Sequence, residues 1–322
     1  MQTILITGGA GFIGSNLVDT LLRLGNKVIC YDNFDNFYDR TIKENNIKEA
    51  LKNPSFILQE ADIRSMECLQ DCFNEQRPDI VIHLAAKAGV RHSLENPELY
   101  YDVNVLGTLN ILEAMKKFGI KKMIFASSSS VYGNNKKIPF AEDDPVDTPI
   151  SPYAATKKAS ELLCHTYNYL YNIDIFVLRF FTVFGPRQRP DLAIHKFTNL
   201  IKEGKPIPFY GDGYESRDYT YIDDIIQGIV KSLEKLKGYE IINLGNSKTI
   251  KLFEMVKCIE NALQRKAIIE KYPKQPGDVL TTFADISKAK NLIDYSPLTA
   301  FNEGVINFIK WKTKNDECPV CK

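Results

Sequence analysis

A tyrosine and a lysine four residues apart, Tyr153 and Lys157, have the residue types needed for acid–base chemistry. They follow Ser151 and Pro152, a pair typical of the first turn of a helix. Residues i and i+4 lie on one face of a helix, so the spacing predicts the ammonium group beside the phenol. Because a nearby ammonium lowers the pKa of a phenol from about 10, the pattern predicts Tyr153 as a general base.

The tyrosine–lysine spacing alone is weak evidence. A chain with 16 tyrosines and 41 lysines and arginines contains at most about two such matches by chance. Tyr132 and Lys136 form a second match, with Gly-Asn-Asn between them. That tripeptide predicts a turn, on which two side chains need not share a face, so the first pair is the better candidate.

Four consecutive hydroxyls, Ser127-Ser128-Ser129-Ser130, follow an apolar run that predicts a strand over 122–126. In a parallel sheet, the serines would lie at the carboxyl end of this strand, where such folds bind ligands. Hydroxyls at that edge are suited to hydrogen bonds with a polyol. The other interpretation is a serine-rich loop that binds nothing.

A glycine-rich turn follows the first predicted strand and opens the first predicted helix. Gly8, Gly11 and Gly14 are spaced three residues apart, in a G-x-x-G-x-x-G pattern. Glycines there permit a tight bend and let backbone N–H groups approach a pyrophosphate at the helix N-terminus. The turn, with Phe12 and Ile13, therefore predicts a dinucleotide site, although a strand-to-helix turn needs glycine for structural reasons as well.

Asp32 ends the second predicted strand, 18 residues after Gly14. This offset is close to the ~20 residues expected for a carboxylate that binds a ribose 2′-hydroxyl. Such a carboxylate repels a 2′-phosphate, so the sequence predicts NAD rather than NADP; the other interpretation is a capping Asp in a polar loop. Asp62 and Ile63 follow the third strand and are expected to flank the adenine, unless Asp62 caps the next helix.

Short β-branched runs alternate with helical patterns in the first two thirds of the chain. The runs predict strands over 3–7, 27–31, 56–59, 80–83, 122–126 and 175–179, and the patterns predict helices over 12–23, 65–76, 95–118 and 151–171. Strands separated by helices of this length form βαβ units. The predicted fold is therefore α/β, a doubly wound parallel (Rossmann) sheet.

The pattern changes after about residue 180, where Gly-Pro-Arg-Gln-Arg-Pro at 185–190 predicts a loop. Short strands (206–210, 240–244) and helices (192–203, 223–236, 251–264, 299–313) follow. We predict a cofactor-binding domain over 1–180. Residues 181–322 are predicted to form a smaller mixed α/β substrate-binding portion, from which some strands can return to the main sheet.

Composition excludes several classes of protein. A net charge of +1 disfavours binding to nucleic acids and to anionic membranes. The chain contains no run of 18 apolar residues, so no transmembrane helix is predicted. Seven scattered cysteines fit reduced thiols and a cytoplasmic location. The histidines lack metal-ligand spacing, and Cys318 and Cys321 have no second pair, so no metal site is predicted.

These motifs together resemble the extended short-chain dehydrogenase/reductase family. The resemblance spans nearly the whole chain and includes His-Leu-Ala-Ala at 83–86, Arg-Phe-Phe-Thr-Val-Phe-Gly-Pro at 179–186, Ser-Arg-Asp-Tyr-Thr-Tyr-Ile-Asp-Asp at 216–224 and Gln-Pro-Gly-Asp-Val at 275–279. Within this family, the chain most resembles the NAD-dependent nucleotide-sugar epimerases, above all the UDP-glucuronate 4-epimerases. It implies that Tyr153 takes the proton of the sugar 4-hydroxyl, Lys157 holds the cofactor ribose and Ser128 bonds O4 of a 4-keto intermediate.

The resemblance also distinguishes sister reactions. Dehydratases of the family carry Asp-Glu just before Val-Tyr-Gly, and decarboxylases carry Glu there, whereas this chain has Ser129 and Ser130. Epimerisation is therefore expected. Thr182 stands where glucose-type epimerases typically have Asn, and we expect Thr182 and the two serines, with Arg189, to hold a C5 carboxylate.

The family's nucleotide contacts map onto several residues after 180. Arg217 resembles the pyrophosphate-binding arginine, with Arg187 as a second candidate; the other interpretation of Arg217 is an ion pair with Asp218 or Asp223. Phe209 or Tyr210 is expected to stack on uracil, unless both belong to a strand's core face. The resemblance further places Asp278 in a segment that closes over the nucleotide, and it leaves the role of Lys87 open.

The resemblance implies one macromolecular partner, a second copy of the chain. The helices at 95–118 and 151–171 are expected to form a four-helix bundle across a homodimer, unless their apolar residues all serve the monomer core. Two other functions remain open: a UDP-glucose or UDP-N-acetylglucosamine 4-epimerase, and a catalytically silent NAD-binding regulator.

Overall fold

The architecture is that of a parallel sheet covered on both faces, seen in a computed structural model that describes residues 1–273 and 279–316. Seven strands form the central sheet in the order β10-β6-β5-β4-β1-β2-β3, and all pairs are parallel. These strands are β1 Thr3–Thr7, β2 Lys27–Asp32, β3 Phe56–Glu60, β4 Ile80–His83, β5 Lys122–Ser128, β6 Asp174–Phe180 and β10 Tyr239–Leu244. The predicted α/β doubly wound fold is confirmed.

Some helices cover both faces of this sheet, and others pack on smaller sheets. Together they are α1 Phe12–Arg23, α2 Arg40–Ile47, α3 Met66–Gln76, α4 Val90–Glu95, α5 Pro97–Tyr100, α6 Gly107–Phe118, α7 Pro152–Tyr171, α8 Ala193–Glu203, α9 Ile222–Lys235, α10 Leu252–Leu263, α11 Ser287–Ile293 and α12 Phe301–Asp316. Of these, α8, α10 and α12 pack on the smaller sheets described below. Successive residues of one strand point to opposite faces. Leu5 therefore belongs to the core under α3, α6 and α7, whereas Ile4 and Ile6 belong to the core under α1 and α9.

Two smaller sheets lie after residue 180. One contains β7 Thr182–Phe184, β9 Ser216–Tyr221 and β11 Thr249–Lys251, and the other contains β8 Pro206–Tyr210 and β12 Ile268–Tyr272. The strand β10 pairs with β6 in the main sheet. The boundary at residue 180 therefore stays a prediction, because the chain after it contributes to both parts of the fold.

The helix predicted over 95–118 is present with one irregularity. It runs without a break from Pro97 to Phe118, as α5, a π-helical turn over Tyr101–Leu106 and α6, and α4 precedes it. Pro97 begins α5 and cannot continue a preceding helix, and Asn104 is buried within the π turn. Such π turns are frequent at functional sites, and Asn104 takes part in the site described below.

The sequence analysis missed α2, β7, β9, β11, β12 and α11. The helix α2 is mostly polar and lacks an apolar repeat, and it is fixed by tertiary contacts, including a hydrogen bond from Asn46 Nδ2 to the Ala10 carbonyl at 3.1 Å. The strands β7 and β11 have only three residues each. Across the described residues, no helix combines the length and apolar character that crossing a bilayer requires.

Candidate active site

A cavity of about 410 Å³ opens at the carboxyl ends of the central strands. Strand order reverses between β1 and β4, which is the place where doubly wound sheets bind ligands. Fifteen of the residues selected from the sequence line this cavity: Gly8, Gly11, Phe12, Ile13, Gly14, Asp32, Asp62, Ile63, Ser128, Ser129, Ser130, Tyr153, Lys157, Thr182 and Arg189. The fold therefore brings these candidates together from segments that are far apart in the chain.

Close backbone packing explains the glycines of the first turn. Gly8 has φ +70°, and a Cβ there would lie 2.9 Å from the Ala85 nitrogen. A Cβ on Gly14 would lie 2.1 Å from the Gly8 carbonyl oxygen, which is impossible without moving the turn. Any larger residue at these two positions would displace the turn that presents the N-terminus of α1, a terminus suited to binding a pyrophosphate.

Asp32 is buried at the end of β2 and accepts three hydrogen bonds. Its carboxylate oxygens accept the N–H of Ala10 at 3.1 Å and of Phe34 at 2.9 Å. The third bond comes from Lys43 Nζ on α2, also at 3.1 Å, and this ion pair is almost fully buried. Sequence reasoning missed Lys43, because the polar helix that carries it was not predicted.

Asp62 lies beside the cavity and is fixed by its neighbours. Its carboxylate accepts hydrogen bonds from the backbone and side chain of Arg64 and from Asn33 Nδ2. Burial raises the pKa of Asp62, but these hydrogen bonds outweigh it and lower the pKa to about 2. The alternative that Asp62 caps α3 is wrong, since the Ser65 side chain accepts the Cys68 N–H at that position.

The predicted catalytic pair lies on α7, which begins as the sequence indicated. Pro152 is the first helical residue, and the Ser151 hydroxyl accepts the Ala154 N–H at 3.2 Å. One turn later, Lys157 is buried, and its Nζ donates to the Ala126 carbonyl of β5 at 2.8 Å. Ser128, the last residue of β5, lies close enough to the Tyr153 hydroxyl to lower the pKa of the phenol.

The electrostatics of this pair differ from the prediction. Burial raises the pKa of Tyr153 above its ordinary value, while the neighbouring Ser128 hydroxyl and the charge of Arg189 act in the opposite direction. The expected net lowering of this pKa by Lys157 is therefore wrong, because desolvation dominates. Burial also lowers the pKa of Lys157, to about 8.

The serine run turns sharply after β5. Ser128 Oγ accepts the Ser130 N–H at 3.1 Å and donates to Ser130 Oγ at 3.1 Å, which starts a 3₁₀ turn over Ser129–Tyr132. Ser129, Ser130 and Thr182 line the same part of the cavity. Among the described lining residues, the carboxylates are Asp32, Asp35 and Asp62, and each is paired with a basic side chain.

Arg189 enters the cavity from the loop after β7. Its guanidinium forms two hydrogen bonds with Asp191, at 2.9 and 2.7 Å, and lies 5.1 Å from the centre of the Phe37 ring. Asp191 and Phe37 were not predicted. The signal for Asp191 is its place two residues after the arginine, but nothing in the sequence indicates Phe37.

Lys87, whose role the sequence left open, also lines the cavity. Its Nζ donates to Asp35 at 2.7 Å. Asn104 of the π turn fixes its backbone, since Asn104 Oδ1 accepts the Lys87 N–H at 2.8 Å and Nδ2 donates to the Lys87 carbonyl at 3.0 Å. Asn104 Nδ2 also donates to Thr156 on α7, so the π turn connects Lys87 with the helix that carries Tyr153 and Lys157.

Other predicted residues do not line the cavity. Arg187 pairs with Asp19 of α1 at 2.7 Å, and Arg217 donates through Nη1 to the carbonyls of Ser216 and Leu280. The alternative for Arg217 fails for Asp218, whose carboxylate accepts the N–H groups of Asn246, Ser247 and Ala284.

Phe209 and Tyr210, the two candidates for stacking on uracil, lie in different environments. Phe209 is buried, as the core alternative expects. Tyr210 contacts Tyr272, with ring centres 5.5 Å apart, and the Arg91 guanidinium lies 4.8 Å from the Tyr210 ring. Asp278, Cys318 and Cys321 lie outside the described residues.

Comparison with known proteins agrees with this geometry. The sequence profile of the GDP-mannose 4,6 dehydratase family matches residues 5–308. The chain belongs to this family. The resemblance to extended short-chain dehydrogenases/reductases, read from the motifs, is thereby confirmed.

Relatives within the family include epimerases. A UDP-glucuronate 4-epimerase of Thermodesulfobacterium geofontis is 47% identical over 318 residues, which cover 98% of each chain. The crystal structure of UDP-glucuronic acid 4-epimerase from Bacillus cereus, in complex with UDP-glucuronic acid and NAD, is similar with a TM-score of 0.91 and 38% identity, over 97% of this chain and 99% of that one. The UDP-glucose 4-epimerase of Thermotoga maritima, solved with UDP-glucose, has a TM-score of 0.90 and 32% identity, over 98% and 100% of the two chains.

Proposed function

We propose that this protein is an NAD-dependent UDP-sugar 4-epimerase that interconverts UDP-glucuronate and UDP-galacturonate. The observation that carries the proposal is the pairing of Tyr153 with Ser128 beside a wall of hydroxyls in place of carboxylates. A tyrosine and a serine can move a proton to and from one hydroxyl of the sugar. Elimination of water needs a carboxyl group as a further acid, which this part of the cavity does not offer among the described residues. Relatives that are UDP-glucuronate 4-epimerases support the same reaction.

The residues of the cavity fit NAD. The Gly8–Gly14 turn leaves room for backbone approach to a pyrophosphate, and the Asp32 carboxylate lies where it can accept a ribose hydroxyl. Lys157 presents its ammonium beside the carboxyl end of β5, where a nicotinamide ribose would lie. When bound, NAD supplies the hydride acceptor and a positively charged nicotinamide ring.

The chain's own residues handle the proton and the sugar. Tyr153 removes the proton of the 4-hydroxyl and Ser128 donates a hydrogen bond to O4, which stabilises the 4-keto sugar. Because burial raises the pKa of Tyr153, the base depends on Ser128 and on the positive charge of Arg189. After the 4-keto sugar has turned over, C4 presents its opposite face to the cofactor position, which inverts the configuration at C4, and Tyr153 returns the proton to O4.

A carboxylate on C5 makes the 4-keto intermediate prone to lose CO₂, and the hydroxyl groups of the cavity can prevent this side reaction. A 4-keto glucuronate is a β-keto acid, and it loses CO₂ when its carboxylate stands perpendicular to the ring carbonyl. We propose that Ser129, Ser130 and Thr182 hold the carboxylate away from that alignment, with Arg189 as a charge partner. Arg189 is itself shared with Asp191, which leaves its attraction for the substrate moderate enough to permit rotation.

Two other functions have weaker support. A UDP-glucose or UDP-N-acetylglucosamine 4-epimerase would use the same base, and the Thermotoga maritima relative is such a UDP-glucose enzyme. Thr182 and the neighbouring serines favour the uronate. A silent NAD-binding regulator has no need of Ser128 beside Tyr153.

We propose that the protein is a homodimer that works in the cytoplasm. Apolar side chains are exposed on the segments named for the bundle, including Leu106, Leu162 and Leu170. A dimer interface over these segments would remove their apolar side chains from water. The cysteines described by the structure are free thiols, as a reducing compartment favours.

Proton NMR of the purified protein with three substrates tests the proposed reaction. UDP-glucuronate is expected to yield the anomeric signal of UDP-galacturonate, and faster than UDP-glucose or UDP-N-acetylglucosamine yields its epimer. Faster turnover of a neutral sugar would support the alternative epimerase. Three inert substrates in the presence of bound NAD would support the regulator.

A further inference from the structure

A row of three polar contacts joins the end of β5 to one face of α7. Three consecutive strand residues, Ala126, Ser127 and Ser128, each contact a different side chain of the helix. The outer contacts are those of the catalytic Lys157 and Tyr153. The middle contact, from Ser127 Oγ to Glu161 Oε1 at 2.5 Å, involves a carboxylate that the reaction does not use.

Glu161 is a buried charge whose nearest basic partner is Arg179. Arg179 of β6 donates to it from Nε at 3.0 Å and from Nη2 at 2.8 Å. Both side chains are 1% exposed, so the carboxylate cannot rely on water. Ser127 and Arg179 are register partners across β5 and β6, which places the ion pair directly behind the serine run.

Further hydrogen bonds extend this ion pair to the turn after the serines. Arg179 Nη1 donates to the Tyr132 hydroxyl at 3.0 Å, and that hydroxyl donates to Asn243 Oδ1 of β10 at 2.7 Å. Tyr132 closes the 3₁₀ turn that begins at Ser129. The ion pair is therefore connected to both ends of the serine run.

We infer that Glu161, fixed by Arg179, is a positioning residue that sets the register of the serine run against Tyr153 and Lys157. This inference rests on the epimerase function proposed above. Tyr153, Lys157 and Glu161 are four residues apart in turn and so share one helix face. A shift of about 1 Å in such an arrangement can cost about a hundredfold in rate.

Glu161 also acts on the charge of Lys157. Burial lowers the pKa of Lys157, and the Glu161 carboxylate opposes this effect. The other titratable groups near Lys157 are Tyr153 and Cys164 on its own helix and His83 on β4. Glu161 itself is faced by Arg179 on β6 and by Lys158 on its own helix, whose Nζ lies 4.0 Å from Glu161 Oε2. Without the carboxylate, Lys157 should lose its proton at a lower pH.

Three variants test the inference in the full-length protein. Ser127→Ala removes one hydrogen bond and leaves the ion pair intact, and it should lower kcat about tenfold with little change in KM. The double variant Glu161→Met/Arg179→Met replaces the buried pair with apolar side chains, a change that often preserves folding. It should lower kcat about a hundredfold and move the alkaline limb of the kcat–pH profile to lower pH.

Tyr239→Phe is the matched control. Its hydroxyl donates to the main-chain carbonyl of Glu161 at 3.1 Å, so this variant disturbs the same residue without touching its carboxylate. Its kcat and pH profile should equal those of the wild type. NAD content is measured for every variant, and kcat is expressed per NAD-containing site.

The outcomes separate the inference from the function on which it rests. Wild-type kcat and pH profile in Ser127→Ala and in the folded double variant would overturn the inference; if the double variant does not fold, Ser127→Ala decides. If the wild type epimerises no UDP-sugar, the proposed function fails, and crystal structures of the wild type and Ser127→Ala decide instead. A longer distance between the Ser128 and Tyr153 hydroxyls in the variant supports the inference, and an unchanged distance overturns it.

Discussion

The two walls of the cavity differ in how the chain builds them. The wall before residue 180 consists of residues at the ends of parallel strands and in the turns that follow, such as Gly8, Asp32 and Ser128. The wall after residue 180 consists of loop and short-strand residues. There, Thr182 and Arg189 line the cavity, whereas Arg187, Phe209, Tyr210 and Arg217 do not.

This difference shows which positions a sequence determines locally. A residue at the carboxyl end of a parallel strand lies at one edge of the sheet wherever that strand is in the order. A loop residue takes its position from distant partners, as Arg187 does from Asp19 on α1. The first wall is therefore predictable from strand and turn patterns, and the second is not.

The largest effect on kcat is expected in the first wall, at the proposed general base Tyr153. Tyr153→Phe should lower kcat by about 10²–10⁴ and leave NAD content unchanged, because the phenol carries the proton but is not the cofactor's main anchor. Steady-state kinetics and NAD release on denaturation measure the two quantities. Tyr169→Phe, on the same helix but 76% exposed, is the matched control and should behave as wild type. A Tyr153→Phe variant with more than a tenth of the wild-type kcat would remove Tyr153 from the role of base.

The pH dependence of activity tests Lys157, the other residue of this wall for which we propose a catalytic role. Lys157 has a pKa of about 8 and is charged below that pH. Activity that needs the ammonium should therefore fall above pH 8, by about tenfold per pH unit well beyond the pKa. The measurement is the profile of kcat from pH 6 to pH 10, with folding checked by circular dichroism at each pH. A profile that stays flat to pH 10 would contradict the assignment.

Two arginines after residue 180, neither of which lines the cavity, are expected to differ from each other. Arg217→Gln should raise KM for the UDP-sugar about tenfold with little change in kcat, since a lost diphosphate contact costs roughly 1–2 kcal/mol of uniform binding. Arg187→Gln should leave KM unchanged and lower the free energy of unfolding by about 1 kcal/mol or less, because its partly exposed ion pair with Asp19 is structural. Kinetics and urea denaturation measure both variants. The reverse result would exchange their roles.

The smallest effect is expected at Thr182, where the change is in product rather than rate. Thr182→Ala should keep kcat within about threefold, as expected for one neutral hydrogen bond. It should release more UDP-pentose than the wild type, because the carboxylate is less constrained in the 4-keto intermediate. Chromatography of the products after extended incubation measures the ratio. Equal UDP-pentose from both proteins would remove support for the holding role.

The sequence was sufficient for the fold class because alternating strands and helices admit few arrangements. It was also sufficient for Gly8, Asp32 and Ser128, which strand ends position, and for Tyr153 and Lys157, whose spacing on α7 it shows directly. It could not predict Lys43 on a polar helix, or the π turn that brings Asn104 to Lys87. It also predicted the wrong direction for the pKa of Tyr153, because spacing reveals a neighbouring charge but not the degree of burial that opposes it.

The same limit applies to the ion pair behind the serine run. Glu161 and Arg179 are 18 residues apart on different elements, and each looks like an ordinary surface charge in the sequence. Only the register of β5 and β6 against α7 brings them together. Buried polar networks of this kind depend on tertiary packing, which a single sequence does not display.

The central claim is that C4 is oxidised and reduced again within one site. The most direct test is turnover of UDP-glucuronate carrying deuterium at C4 in ordinary water, followed by mass spectrometry and NMR of the product. The account predicts UDP-galacturonate that keeps the full label at C4, because the same hydrogen leaves and returns as hydride. Absence of UDP-galacturonate, or a product that has lost the label to solvent, would contradict it.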